Sequence, residues 1–430
     1  MKNNFIKSIL ILIFGGFLTK ILGMIIKIVL TRTISLEGVS MYSLILPTFN
    51  LFITLSSMGL PIAIAKLVSE HKKNNKKIVL PTIPLIIIFN LLLIAIIFII
   101  APILSNNLLN NKNLYYPLIA IGLTLPFIGI SSIIKGYFFG VERMWPNTLS
   151  NIVEQLMRLF LTMTVIKKLM DYSLIVAITG VVLINILSEG ISIVVLLLFV
   201  PKNKNIDVND FEIDKSLLKD LLHISIPTTG SRLIGSISYF FEPIILTFAL
   251  SKVGYSSEYI TMSYGIINGY VFPLLLLPSF FTLAISNAIL PVISNSYSNR
   301  DYKYTKYKIK QGIFISLLVG IPCTCLFVFV PEFFLDFIYN TKEGVEFVRV
   351  IAPIFILHYI QTPLTSCMQA MGYARDAMYG TIIGAILKNI SLLILSLFKI
   401  GIWGLIISSS VNIAFITLHH LYCVFKALKK

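Results

Sequence analysis

The chain has 430 residues, of which 57% are hydrophobic and only 13% are charged, and its formal net charge is +16. A composition this apolar excludes a soluble multidomain protein and indicates a polytopic membrane protein. The basic residues concentrate in the loops on one side of the predicted spans. The positive charge therefore records topology and attraction to an anionic leaflet, and nucleic acid is not the expected partner.

Twelve apolar runs are long enough to cross a bilayer, which takes about 20 helical residues. The predicted fold class is all-α, with the protein in the cell membrane and both termini in the cytoplasm. The first run is too long for a signal peptide and contains Lys20, so it is expected to remain as a span. The predicted spans, numbered 1 to 12, are 5–31, 39–66, 78–104, 115–139, 147–166, 173–200, 221–250, 261–291, 309–330, 346–371, 378–397 and 400–425.

A polar connector with charges of both signs, residues 201–220, divides the chain into two predicted six-helix bundles, 1–200 and 221–430. The loops after even-numbered spans carry the basic clusters, for example 71–77 and 300–310. These loops are expected to be cytoplasmic because basic residues stay on that side.

Two short motifs recur at corresponding spans of the two halves. Lys20-Ile21-Leu22-Gly23 matches Arg232-Leu233-Ile234-Gly235, and Gly140 to Arg143 matches Gly372 to Arg375. Because each half has an even number of spans, the repeats must share one orientation in the membrane, as in alternating-access transporters built from parallel repeats. Chance matching of short apolar motifs is the alternative explanation.

The first span carries Lys20 and Lys27. A charged side chain near the middle of a span costs roughly 2.5–3.5 kcal/mol on insertion scales, so both lysines need a compensating environment. Residues 16, 20, 23 and 27 lie on one helix face and read Gly-Lys-Gly-Lys, and the glycines let a helix or a ligand approach closely. This pattern predicts a watery cavity that accepts anions. For Lys27, snorkelling to the headgroups is the alternative.

Four further polar residues within spans are candidate site residues. Arg232 lies near mid-membrane, and its planar guanidinium suits a phosphate. Asn50 would line the same cavity or bond to a neighbouring helix. Glu242, which precedes Pro243, and Glu189 are candidate carriers of a coupling proton or sodium ion. For Glu242, the alternative is a structural counter-ion of Arg232.

The remaining charges within spans have structural interpretations. Glu154 and Arg158 are four residues apart and can neutralise each other on one helix face. Lys388 is as readily explained by a partner across the bundle as by a ligand. Basic residues near helix ends are expected to snorkel, namely Lys66, Lys135 and Arg349.

The run from Thr19 to Glu70 resembles the first helical pair of the stage V sporulation protein B family. That family belongs to the polysaccharide-transporter branch of the multidrug/oligosaccharidyl-lipid/polysaccharide (MOP) flippase superfamily, with the lipid II flippases and MATE transporters. The residues that carry the resemblance are Lys20 before Leu22-Gly23, Lys27, and Gly59-Leu60-Pro61.

The resemblance implies two MATE-like bundles that flip a lipid-linked saccharide, either a polyprenyl-diphosphate oligosaccharide or a lipid II-like peptidoglycan precursor. It also implies contact with membrane lipids and possible coupling to sodium or protons. Many relatives have fourteen spans, and their last pair helps to hold the prenyl tail. The twelve spans predicted here leave the place of that tail open.

The sequence contains no enzyme motif. There is no Gly-x-x-x-x-Gly-Lys-Ser/Thr phosphate loop, so no built-in ATPase is expected, and the four cysteines make no metal spacing. We expect neither a cofactor nor a metal, and energy would come from ion gradients, the membrane potential or the substrate gradient. The alternatives are a drug/cation antiporter, a membrane-embedded polymerase or glycosyltransferase, and a non-transporting scaffold for envelope assembly.

Overall fold

The computed structural model describes residues 2–70, 75–201, 208–211 and 214–428. Twelve helical segments in these ranges are long and apolar enough to span a membrane, which confirms the all-α, multi-pass fold. The helices are α1 (Lys2–Thr33), α2 (Leu36–Ser57), α3 (Leu60–Glu70), α4 (Lys76–Ile103), α5 (Tyr115–Gly140), α6 (Met144–Leu161), α7 (Lys167–Met170), α8 (Leu174–Leu198), α9 (Lys215–Lys252), α10 (Ser257–Ile266), α11 (Phe272–Leu275), α12 (Ser279–Ser298), α13 (Tyr302–Phe329), α14 (Pro331–Tyr339), α15 (Val345–Ala370), α16 (Ala374–Ser396) and α17 (Trp403–Ala427).

The chain divides into two compact units, unit 1 (Met1–Phe240) and unit 2 (Phe241–Lys430), with α9 continuing from one into the other. Residues 71–74 of the first basic cluster, and residues 202–207 and 212–213 of the connector, lie outside the described residues. The placement of a domain seam in that connector, and of the loops and termini relative to the membrane, therefore stays a prediction.

Span 2 is not one helix but two, because α2 ends at Ser57 and α3 begins at Leu60. Met58 and Gly59 between them have φ values of 48° and 63°, the left-handed region that glycine adopts without steric cost. A Cβ on Gly59 would also lie 3.0 Å from the Ser225 carbonyl oxygen and 3.0 Å from Thr229 Oγ1 of α9. The break therefore depends on the glycine.

Span 2 and α9 run antiparallel. The Thr54 and Ser236 hydroxyls are 2.9 Å apart, whereas Gly59, further along span 2, meets Ser225 and Thr229, which come earlier in α9. Residue numbers thus rise along one segment as they fall along the other. This pairing positions the polar residues of α2 and α9 described below.

Spans 2 and 8 begin with the same N-cap. The Ser35 hydroxyl accepts from the Gly38 amide at 3.3 Å, and the Ser256 hydroxyl accepts from the Tyr259 amide at 3.2 Å. In each case a glutamate follows two residues later, where a negative charge favours the helix dipole. The same cap at the same ordinal span agrees with the predicted internal repeat.

Unit 2 has its own apolar core between α12, α13, α15, α16 and α17, and the side chains of Ile293, Leu364 and Met368 lie fully inside it. Span 8 unwinds into a wide π turn at Ile267–Val271 before α11. The buried Tyr359 hydroxyl donates to the Leu275 carbonyl at 2.7 Å and so satisfies backbone that the irregular helix exposes.

Candidate functional site

Helix α1 has one packed face and one open face. Leu22, Ile26 and Leu30 are buried. On the other face Lys20 is exposed, and a Cβ added to Gly16 or Gly23 would meet no atom within 4 Å. Among the described residues, Gly16 and Gly23 therefore make no close helix contact, and they leave space on both sides of a charged side chain within a span.

Lys27 lies two turns further along α1 and is half-buried. The hydroxyl of Thr31, one turn later, donates back to the Lys27 carbonyl at 3.0 Å. The helix is thus continuous through both lysines, which keeps Lys20 and Lys27 on neighbouring parts of one side of α1. The lesser exposure of Lys27 distinguishes it from Lys20.

Asn50 and Arg232 are both exposed, but the structure does not bring them together. Thr54 donates to the Asn50 carbonyl at 2.9 Å and Ser236 to the Arg232 carbonyl at 3.4 Å, so each residue lies one turn before the Thr54–Ser236 contact. Because the helices are antiparallel, Asn50 and Arg232 lie on opposite sides of that contact. At a rise of about 1.5 Å per residue, they are separated by roughly 12 Å along the helix axis. Arg232 is level with the break in span 2.

Arg232 also belongs to the same compact unit as Lys20. The sequence repeat predicts that Lys20 and Arg232 occupy equivalent positions in two different bundles. In the structure, Arg232 lies on the part of α9 that packs against span 2. A ligand held by Lys20 and Arg232 would therefore be held by unit 1.

Unit 1 contains a cluster of four charged side chains on α5, α6 and α8. Glu154 accepts from Arg158 Nη2 at 2.9 Å and from Lys135 Nζ at 3.3 Å, and Lys135 Nζ lies 3.9 Å from Glu189 Oε2. The Glu154–Arg158 pair confirms the prediction from spacing. The expectation that Lys135 snorkels to the interface is wrong, because two carboxylates on neighbouring helices hold its ammonium.

Glu189 is the less well satisfied of the two carboxylates in this cluster. Its Oε2 atom is buried and makes no hydrogen bond, although Lys135 is near, whereas both oxygens of Glu154 are engaged. The charged members of this cluster thus come from α5, α6 and α8.

Unit 2 contains a smaller buried pair. Glu242 is 1% exposed, its Oε2 atom forms an ion pair with Lys388 Nζ of α16, and its Oε1 atom accepts from the Tyr264 hydroxyl at 3.1 Å. The partner of Glu242 is thus Lys388 and not Arg232. The structure also settles the ambiguity at Lys388, whose partner lies across the bundle.

Other ion pairs lie at the surface. Lys66 is 3.9 Å from Glu70, and Arg349 is 3.4 Å from Glu332, with all four side chains about half exposed. Such exposed pairs add little stability, about 0–1 kcal/mol each. The snorkelling of Lys66 and Arg349 stays a prediction. Among the described residues, no group of three His, Cys, Asp or Glu side chains is arranged to hold a metal.

A groove of about 550 Å³ follows the first turns of α9. Its lining combines basic and apolar side chains, a pattern that sequence reasoning missed because most of it falls within the connector and the start of span 7. The lining residues are Lys215, Leu218, Lys219, Leu222, His223, Ile226 and Pro227.

Comparison with known families identifies two matches. The model of a family described as polysaccharide biosynthesis protein matches residues 5–297, which is more than half of the chain. The model of the MatE family matches residues 234–395.

Similar proteins cover nearly the whole chain. Stage V sporulation protein B of Bacillus subtilis (strain 168) is 34% identical over 99% of this chain and 85% of its own length. Lipid II flippase MurJ of the same organism is 21% identical over 90% of this chain and 76% of its own length. These matches confirm the resemblance drawn from residues 19–70.

Solved structures share the fold. A lipid II flippase MurJ in an inward closed conformation aligns with a TM-score of 0.73 at 16% identity, covering 96% of this chain and 88% of that one. An inward-facing multidrug resistance MATE family transporter of the MOP superfamily aligns with a TM-score of 0.71 at 16% identity, covering 96% and 95%.

Proposed function

This chain belongs to the polysaccharide biosynthesis protein family and is a membrane transporter of the MOP superfamily, and we propose that it is a flippase for a lipid-linked saccharide. The substrate would be a polyprenyl-diphosphate oligosaccharide or a lipid II-like peptidoglycan precursor, moved by alternating access. The description of the family, polysaccharide biosynthesis protein, and the name of one similar protein, lipid II flippase MurJ, support this substrate class.

The observation that carries the proposal is the exposed Lys20 between two unpacked glycines of α1. A charge within a span is costly unless it meets water or an anion. A diphosphate supplies that anion, and charge-assisted bonds to phosphate oxygens are among the stronger hydrogen bonds in proteins. The exposed Arg232 and Asn50 and the half-buried Lys27 would complete the anion site.

The groove along α9 supports contact with membrane lipids. Lys215, Lys219 and His223 follow one another at four-residue intervals and share a helix face with exposed apolar residues. This combination suits an anionic lipid, because the headgroup would meet the basic side chains and the acyl chains would meet the apolar ones.

We also propose that Glu189 and Glu242 carry the driving ion. Both carboxylates lie within spans, and each lies next to a lysine. The ammonium can stay close while the carboxylate is ionised and move away when the carboxylate is protonated. If Glu242 has this role, Glu242→Gln should abolish the dependence of transport on an imposed gradient while the protein remains folded. Gradient dependence that survives in Glu242→Gln would assign Glu242 a purely structural role.

The test of the flippase proposal is reconstitution into vesicles with defined lipid-linked saccharides and measurement of their flipping. Losing one charge-assisted bond to phosphate costs on the order of 1.5–3 kcal/mol, so Lys20→Ala and Arg232→Ala should each slow flipping roughly 10- to 150-fold. Lys20→Arg should retain more activity than Lys20→Gln. Lys252→Ala is the matched control, because Lys252 is exposed at the far end of α9.

Two results would contradict the proposal. Normal flipping by both alanine variants would rule out the proposed anion site and favour a non-transporting scaffold. Export of cationic drugs without any flipping would favour the antiporter, although the exposed cations of α1 and α9 do not suit a cationic substrate.

A further inference from the structure

The environment of Glu242 has the composition of a small cation site. One carboxylate oxygen accepts from the Tyr264 hydroxyl at 3.1 Å, and the other faces Lys388 Nζ. The carboxylate is 1% exposed, so bulk water does not solvate it. Oxygen ligands around a buried negative charge are what a monovalent cation requires, and in this protein the cation present is an ammonium of the chain itself.

Lys388 reaches Glu242 from a different helix and from 146 residues further along the chain. Its side chain is 17% exposed, and the cost of burying the ammonium is offset by the carboxylate. A free ion at the same carboxylate would have to displace Lys388 and leave that ammonium without its counter-ion. The two cations therefore exclude each other at Glu242.

The cluster of unit 1 follows the same rule. Lys135 lies between Glu154 and Glu189, and Arg158 holds the other oxygen of Glu154. Among the described side chains, each carboxylate that is largely buried within a span thus has a lysine or arginine of this chain as its partner. No carboxylate of this kind remains for a sodium ion alone.

We propose that Lys388 is a tethered cation that occupies a sodium-type site formed by Glu242 and Tyr264. The wild-type protein then does not bind sodium there, and truncation of Lys388 opens the site. This narrows the coupling ion left open by the proposed function, since a proton can still reach Glu242. The test below needs no transport, so it can fail or succeed independently of the flippase proposal.

The experiment measures the melting temperature of purified protein in sodium, potassium or choline chloride at equal ionic strength, at pH 7 and pH 9. Wild type should melt at the same temperature in all three salts. Lys388→Ala should melt lower in choline and recover by about 5 °C in saturating sodium or potassium, because an ion that binds only the folded state stabilises it. Adding Glu242→Gln to Lys388→Ala should abolish the recovery.

Lys66→Ala is the matched control, because it removes a lysine from an exposed ion pair. It should show no difference between sodium and choline. The proposal is overturned if Lys388→Ala responds to neither cation at either pH. It is also overturned if wild type is stabilised by sodium and Glu242→Gln removes that effect, a measurement that remains available if Lys388→Ala does not fold.

Discussion

Replacing Glu154 by leucine should destabilise unit 1 strongly, whereas removing Arg158 as well should restore much of the loss. Glu154 is 8% exposed at its side chain and neutralises both Arg158 and Lys135. In Glu154→Leu, two cations whose side chains are only 19% and 23% exposed share Glu189 alone. Breaking a buried pair from one side costs about 3–5 kcal/mol, because it leaves a charge uncompensated.

The double variant Glu154→Leu/Arg158→Leu leaves Lys135 with Glu189, so the buried charge is again balanced. Replacement of a whole buried pair by apolar residues is often neutral. At roughly 2–4 °C per kcal/mol, the single variant should melt about 10 °C below wild type and the double variant only a few degrees below.

Thermal unfolding of the protein in lipid nanodiscs, followed by intrinsic fluorescence, measures this cycle. Gln155→Leu is the matched control, since it introduces the same side chain at the next position of α6. The reasoning is refuted if Glu154→Leu and Gln155→Leu have the same melting temperature. It is also refuted if the loss in the double variant equals the sum of the losses in Glu154→Leu and Arg158→Leu, because the two residues would then not be coupled.

Three further outcomes are expected. A membrane-impermeant thiol reagent added outside should label a cysteine introduced within 105–113 but not one within 300–310, and the reverse would invert the topology. Gly59→Ala should destabilise the fold by about 1–3 kcal/mol in thermal unfolding, because φ is positive and α9 is close, whereas Gly16→Ala should leave the melting temperature unchanged. Glu189→Gln should remove the response of flipping to an imposed pH gradient; an unaltered response would exclude Glu189 as the proton carrier.

The spans could be predicted because hydropathy and length are local properties of the chain. The Glu154–Arg158 pair could be predicted for the same reason, since four residues make one helical turn. The partner of Lys135 could not be. Packing between helices determines the rotation of each helix about its axis, and so which face meets a neighbour. Hydropathy does not predict that rotation.

The pairing of Glu242 with Lys388 illustrates the same limit over a longer distance. The sequence shows two opposite charges within spans 7 and 11, but the repeat drew attention to Arg232 instead. The break in span 2 left a clearer signal. Gly59 followed by Pro61 marks a turn that a continuous helix does not need, yet the motif served only as a family feature in the prediction.

The buried clusters also determine where a voltage across the membrane can do work. With all groups ionised, the cluster of unit 1 holds two cations and two carboxylates, and the Glu242–Lys388 pair holds one of each. A charge that crosses the whole field exchanges about 2.3 kcal/mol per 100 mV, but a neutral cluster exchanges none. Protonation of Glu189 would give its cluster a net positive charge, and protonation of Glu242 would do the same for its pair with Lys388, so a membrane potential would act on the unit that holds the proton.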